Sequence, residues 1–302
     1  MHKQGLGETS EFCTYHPLVN ITYYIMVIGI TMFSMSPYFV AATLIGAWTY
    51  SIMLKGKSAL KFNLFLSIPM VLVMMVVNTF FNNNGETVLF YFNTSRVTLE
   101  ALAFGFVGGL VLVAVVVWFS SFNVVMTADK VIYLFGKVAP VLGLTLSMIF
   151  RFIPLLKSRF AEISLGQKCM GRGHDQGNFI KRARQVVKEI SILIAWSLEA
   201  SIESADSMEA RGYGLKGRTS FHLFKLTHRD YIALVAMAIT GIPVIIGCIM
   251  DLTNMYFFPK LVVQPLELHT AILLVCYCLL TAVPIIIDIA GELKWKQLDL
   301  EM

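Results

Sequence analysis

The sequence predicts an all-α integral membrane protein: about six transmembrane helices, plus a cytoplasmic module of long amphipathic helices lying under the membrane. Three observations carry that class. Of 302 residues, 57% are apolar and only 14% charged, with a positive mean hydropathy, whereas a water-soluble domain needs about a quarter charged residues. Apolar runs long enough to cross a bilayer recur along the chain. The 24 Lys and Arg residues are gathered into a few segments rather than spread evenly, as in multi-pass proteins whose loops are sorted by charge.

Residues 1–126 read as an N-terminal transmembrane region. Its first dozen residues, MHKQGLGETSEF, lack the basic-then-apolar layout of a cleaved signal peptide, so the first span is expected to be retained. Spans are expected at about 18–33 and 38–54, a hairpin of short helices split by the Ser-Met-Ser-Pro turn at Ser34 to Pro37, and then at about 64–81 and 99–119. Residues 229–302 read as a C-terminal transmembrane region with spans at about 231–250 and 268–289. Pro69, Pro243 and Pro284 fall inside spans, where a kink is tolerated when neighbouring helices satisfy the freed carbonyls.

Cations orient the set. With the amino terminus inside, the cytoplasm receives Lys3, the Lys55, Lys57 and Lys61 cluster, the sixteen cations between Asp129 and Arg229, and Lys294 and Lys296. Only Arg96 and Lys260 remain outside. The short flanks alone give the same answer, so both termini are expected to be cytoplasmic in a multi-pass protein of the cell membrane.

Residues 127–228 hold two thirds of the cations yet do not read as a plain soluble domain. "VAPVLGLTLSMIFRFIPLLKSRFAEISLGQK" and "NFIKRARQVVKEISILIAWSLEASIESADSMEARG" each read as one long helix with a broad apolar stripe. In the second, Ile180, Val187, Ile190, Ile194 and Leu198 recur at helical spacing, while Lys181, Arg184, Lys188, Glu199, Glu203 and Asp206 populate other faces. Neither stretch has eighteen uncharged apolar residues in a row, so neither is expected to span. Both should lie beneath the membrane with the stripe against embedded protein.

The ends of these helices are distinctive. Asn178 is a suitable amino-terminal cap for the second, and Gly212 is the residue type that closes a last turn in the left-handed conformation. Arg211 then sits at the negative end of the helix dipole, an effect of about 0.3–1 kcal/mol. The first helix also runs out in glycines, with Lys168 and Arg172 nearby. Two basic tips suit acidic grooves on another protein.

At this point the residues become recognisable. "HPLVN" at His16, "NTFFNNNGETVLFYF" at Asn78 to Phe92, "TLEAL" at Thr98, "FRFIPLL" at Phe150, "GQK" at Gly166, "SMEARGYG" at Ser207 to Gly214 and "GRT" at Gly217 stand in one order and spacing. By these pieces the chain resembles, over nearly its whole length, the transmembrane T component of energy-coupling factor (ECF) transporters, importers of vitamins and transition-metal ions powered by ATP. The resemblance implies a scaffold that works with two ABC-type ATPase subunits and a separate substrate-binding membrane (S) subunit. It makes residues 127–228 a coupling-helix module and assigns ATPase coupling to two Ala-Arg-Gly motifs. The second motif is intact as Ala210, Arg211 and Gly212. The first departs from the pattern: Cys169, Met170 and Gly171 align with it, so Met170 stands at the arginine position, with Arg172 two residues on. Arg211 is thus expected to be the main electrostatic anchor and Met170 an adaptable apolar contact. The small residues and methionine of the stripes, among them Gly143, Ser147, Met148, Ala195, Ser197, Ala200, Ser201 and Ser204, suit a contact that slides or accepts several partners, and suit ordinary helix packing equally.

Other chemistries find less support. No Gly-x-x-x-x-Gly-Lys-Ser/Thr phosphate loop occurs, so the chain is not expected to hydrolyse ATP by itself or to be an enzyme. The six histidines form no i, i+3 or i, i+4 pair, His222 and His228 reading as interfacial or solvated, and neither a metal site nor a cofactor is expected. Cys13, Cys169, Cys248, Cys276 and Cys278 show no disulfide or metal spacing. The cations from Lys181 to Lys188 favour membrane lipid over nucleic acid. Glu100 and Asp288, near span ends, read as structural polar links rather than a proton relay, and "NTFFNNNG", polar at the outer end of the third span, reads equally as an approach to substrate or a loop turn. The rival function is a self-contained secondary transporter, which calls for internal repeats with broken helices; a membrane-embedded enzyme calls for a polar cluster at one depth. Neither pattern is visible.

Overall fold

The computed structural model describes residues 10–82, 84–92, 95–173, 178–215, 224–262 and 267–301. The Gly217 to Thr219 triplet and His222 lie outside them. Ten helices and one short hairpin follow in chain order: α1 (Glu11–Thr14), α2 (Pro17–Phe33), α3 (Pro37–Lys55), α4 (Lys57–Phe81), β1 (Val88–Phe92), β2 (Ser95–Thr98), α5 (Leu99–Val125), α6 (Ala128–Val138), α7 (Pro140–Cys169), α8 (Phe179–Ala210), α9 (His228–Ile249) and α10 (Leu268–Glu301). The chain is an all-α membrane protein. It divides into two compact units, one of residues 1–127 with 224–302 and the other of residues 128–223.

Among the described residues, six helices are long and apolar enough to cross a membrane: α3, α4, α5, α7 over Val141–Cys169, α9, and α10 over Leu268–Trp295. The set differs from the expected one at two places. The first helix, α2, is apolar but only 17 residues long, at the short limit for a span. Conversely α7 qualifies, because only Arg151 and Lys157 interrupt its first eighteen residues. Length and composition thus admit α7 as a span, though they do not place it in a bilayer.

The first unit is built round an aromatic core. Trp118 of α5 meets the rings of Tyr23 and Tyr24 on α2 edge-on, at centroid distances of 5.9 and 6.3 Å, and Phe12 of α1 meets Tyr23 at 5.5 Å. A hydrogen-bonded chain of side chains runs through this core. Trp118 Nε1 donates to Thr43 Oγ1 at 3.0 Å, Thr43 and Thr31 hydroxyls pair at 3.0 Å, and Thr31 and Tyr277 hydroxyls pair at 2.8 Å. It joins α5, α3, α2 and α10, and all four side chains are buried. Where water cannot reach, such pairing is what makes polar side chains tolerable. On another face α4 comes backbone-close to α5: a Cβ added to Gly105 or Gly109 would stand 2.9 Å from Met75 Cα or Val71 Cα, so this small-xxx-small pair sets the approach.

Two carboxylates pin the amino-terminal segment. Asp288, buried in α10, accepts Ser10 Oγ at 2.8 Å on each oxygen and the Phe12 backbone N–H at 2.8 Å. Asp230, in the first turn of α9, accepts the His16 N–H at 3.0 Å and closes a capping box with Thr227. His16 Nδ1 in turn accepts the Leu18 N–H at 3.2 Å, and Pro17 opens α2, which gives "HPLVN" its local logic. Trp295 Nε1 donates to Glu11 at 2.8 Å. At the other end of α2, the Ser36 N–H donates to Thr253 O at 3.1 Å and the Met35 N–H to Asn254 Oδ1 at 3.2 Å.

Glu100 is also a structural link. Its carboxylate accepts the Thr87 N–H at 3.2 Å and the Thr87 hydroxyl, holding the loop before β1 against the start of α5. The β1–β2 hairpin was not anticipated. Val88 pairs antiparallel with Thr98 and Tyr91 with Arg96; the hairpin lies beyond "NTFFNNNG", whose first four residues, Asn78 to Phe81, are the end of α4.

In the second unit α6 packs on α7. A Cβ on Gly143 would stand 2.3 Å from Gly136 Cα, so Gly143 is buried by its own unit and drops out of the stripe of small contact residues. The apolar stripe of α8 is open: Ile180, Val187, Ile190, Ile194 and Leu198 are 71, 61, 41, 53 and 62% exposed.

The core chain yields a prediction. Thr43→Val keeps the shape but leaves Trp118 Nε1 without its acceptor and Thr31 short of a partner. It should cost about 1–3 kcal/mol, read as a lowered melting temperature of the detergent-solubilised chain. Thr49→Val, whose exposed hydroxyl bonds only Ile45 O among the described residues, should change little.

Candidate functional site

The site is the pair of helix ends in the second unit. Both close by the same backbone device. In α7 the cap residue is Met170; the Gly171 N–H donates to Lys168 O at 3.0 Å and the Arg172 N–H to Gln167 O at 2.9 Å. In α8 the cap residue is Arg211; the Gly212 N–H donates to Glu209 O at 2.9 Å and the Tyr213 N–H to Met208 O at 3.0 Å. This pair of bonds is the Schellman motif, which requires a left-handed residue just past the cap. Gly171 and Gly212 supply it, with φ of +71° and +81°, where a side chain would be strained.

The shared motif fixes the correspondence of the two ends residue by residue. Cys169 matches Ala210, Met170 matches Arg211, Gly171 matches Gly212, and Arg172 matches Tyr213. Arg172 therefore does not take the place of Arg211; it follows the cap by two residues, beyond the glycine. Sequence reasoning passed over Tyr213, an exposed aromatic at that following position. Its signal was present, as the residue after the glycine in each tip. At the start of α8, Asn178 is the cap residue as expected, but its side chain makes no cap hydrogen bond.

Cys169, Met170, Gly171 and Arg172 are exposed, Met170 at 61%, as are Ala210 and Arg211. The Arg211 guanidinium makes no ion pair or hydrogen bond with a described residue. It stands on the negative end of a helix of 32 residues, so the helix favours it there, while Asp206 and Glu209 lie in the preceding turns. The α7 tip is flanked instead by Lys168 and Arg172.

The two tips do not converge. Gln185 Nε2 of α8 donates to Gln167 Oε1 of α7 at 3.1 Å, and the Arg159 guanidinium of α7 lies 5.0 Å from the Trp196 ring centroid of α8. As α7 numbers fall, α8 numbers rise, so the pair is antiparallel. Met170 lies three residues past the first contact and Arg211 lies 26 past it in the other direction. At a rise of 1.5 Å per residue the tips are on the order of 40 Å apart along the helices.

Six helices long and apolar enough to cross a membrane define a multi-pass membrane protein. The chain belongs to the family described as the cobalt transport protein CbiQ, whose model matches residues 15–222, and so to the T components of ECF transporters. The match stops before α9, so the last two helices lie beyond it. Among similar proteins is the "Energy-coupling factor transporter transmembrane protein EcfT" of Streptococcus thermophilus, 33% identical over 114 residues that make up 37% of this chain and 43% of that protein. Proteins of the same name from Streptococcus equi subsp. equi, 27% identical over 209 residues (64% of this chain, 77% of that protein), and, as EcfT 1, from Listeria monocytogenes, 27% identical over 217 residues (63% and 79%), are matched over longer stretches. The strongest of these matches thus spans less than half of the relative's length.

The tip geometry is testable on its own. Gly212→Ala should strain the cap by about 1–2 kcal/mol and open it locally: hydrogen exchange at the amides of residues 212 and 213 should speed up at least several-fold, with the body of α8 unchanged. Gly166→Ala, inside α7 with nothing within 4 Å of the added Cβ, should leave exchange at the α7 tip unaltered.

Proposed function

We propose that this chain is the energy-coupling scaffold of an ATP-driven importer of a vitamin or a transition-metal ion, with two ABC-type ATPase subunits on its cytoplasmic side and a separate substrate-binding membrane subunit. Each tip enters a groove on one ATPase subunit. The observation that carries this reading is the exposed Arg211, which pairs with no described residue, held at the end of a long helix, with a second tip of identical backbone form on the order of 40 Å away. One groove cannot hold both ends, whereas a pair of like subunits offers two. Arg211 suits an acidic recess, since guanidinium fits carboxylate by two parallel hydrogen bonds. Met170, at the matching position, fills its groove by apolar contact.

The mechanism follows from the lever. In this reading the termini are cytoplasmic and α7 and α8 lie beneath the membrane. Closure of the ATPases on ATP moves the two grooves relative to each other. The long helices carry that displacement to the apolar stripe of α8, and the substrate-binding subunit resting there tilts, turning its site from outside to inside. The relatives' shared name, energy-coupling factor transporter transmembrane protein, supports the assignment.

Arg211→Glu should leave membrane insertion and yield intact and reduce recovery of the ATPase subunits with the tagged chain at least tenfold, and Arg211→Lys should fall between, keeping charge but losing the fork. Undiminished recovery of the ATPases with Arg211→Glu would remove Arg211 from this role.

A further inference from the structure

The exposed stripe of α8 has a flank whose charge changes sign halfway along. Counted at 3.6 residues per turn, Lys181, Arg184, Lys188, Glu199, Glu203 and Asp206 all fall on the same side of the apolar row, within an arc of about 100°. The first three are basic and the last three acidic; between them the same side carries Ser191, Ile192 and Ala195. All six charged side chains are exposed, and none makes an ion pair or hydrogen bond with a described residue. A solvated face chosen only for solubility would intersperse the signs, and a helix stabilising itself would set opposite charges three or four residues apart. This flank does neither: its charges are too far apart along the axis to pair with each other.

We infer that this polarised flank is a docking register: it takes a helix of a membrane-embedded partner whose apolar face is bordered by carboxylates where it meets Lys181 to Lys188 and by cations where it meets Glu199 to Asp206. The apolar row supplies attachment and has no direction of its own. The flank supplies direction, because the partner turned end for end would set like charges opposite each other, and such juxtaposition discriminates strongly. Orientation matters to a lever, since a partner seated backwards would be tilted the wrong way by the same stroke. This inference rests on the proposal that a membrane subunit sits on the α8 stripe, and it names the residues that align it. An anionic leaflet, the other surface that basic residues suit, would be repelled by the acidic half.

The test uses the full-length chain in detergent and a synthetic helical peptide with a leucine row, glutamates bordering its amino-terminal half, lysines bordering its carboxy-terminal half and a photo-crosslinker at its amino terminus. On the wild-type chain the crosslink should fall in the Lys181 to Lys188 half of α8, in roughly tenfold preference over the other half. Reversing the flank (Lys181→Glu, Arg184→Glu, Lys188→Glu, Glu199→Lys, Glu203→Lys, Asp206→Lys), which keeps the net charge, should move it to the other half. Crosslinks shared evenly between the halves, or unmoved by the reversal, while Leu198→Asp abolishes them, overturn the register and leave the stripe as a docking face. Crosslinks that are absent, or indifferent to Leu198→Asp, overturn both.

Discussion

A helix can end in many ways, but both long helices of the second unit end in one: two backbone hydrogen bonds folded back over the last turn, held by a glycine in the left-handed conformation. That constraint decides what each tip presents. It stops the helix at Met170 and at Arg211 and leaves both cap side chains exposed among the described residues. The side chain at the cap then decides the chemistry, a flexible thioether at one end and a guanidinium at the other. Equal geometry with unequal side chains is the feature the proposed coupling mechanism uses.

The membrane unit answers a different constraint, the cost of polar groups away from water. Thr31, Thr43, Trp118 and Tyr277 pair among themselves across four helices. Asp288 and Asp230 serve the amino-terminal segment, so that Ser10, Phe12 and His16 are tied to α10 and α9 by hydrogen bonds to carboxylates. Glu100 does the same for the loop before β1. These acids are internal fasteners, each accepting donors from a segment distant in sequence, which fits a scaffold that must transmit motion without yielding.

Much of this was legible in the residues, and the misses have physical causes. The spans were legible because a bilayer demands some twenty apolar residues, and the tips because a glycine after an apolar helical period is a strong stop signal. Asp288 was recognisable as a carboxylate in need of a partner, but not its partner: Ser10 lies 278 residues away, and no local pattern announces so distant a contact. The β1–β2 hairpin was hidden because its strands are only five and four residues long and its asparagine-rich lead-in reads as a turn. Gly143 looked like part of a contact stripe until α6, a short helix not foreseen, was found packed against it. α7, set aside as a span for its two cations, is long and apolar enough to be one by length and composition. The six charges of α8 were each visible, yet read as scattered over other faces; only their placement on one helix shows that they share a side and divide by sign.

On the proposed account the second unit offers two long helices, each with one exposed cap residue at its carboxy-terminal end, and coupling depends on both caps being seated at once. The most direct test is to place a photo-crosslinking amino acid at position 170 and, separately, at position 211, and in a third chain at both, in membranes containing the assembled transporter. The account predicts a one-to-one crosslink to an ATPase subunit from each single position and a species with two ATPase subunits from the double. Crosslinks from position 211 only to lipid or to this chain itself would contradict it.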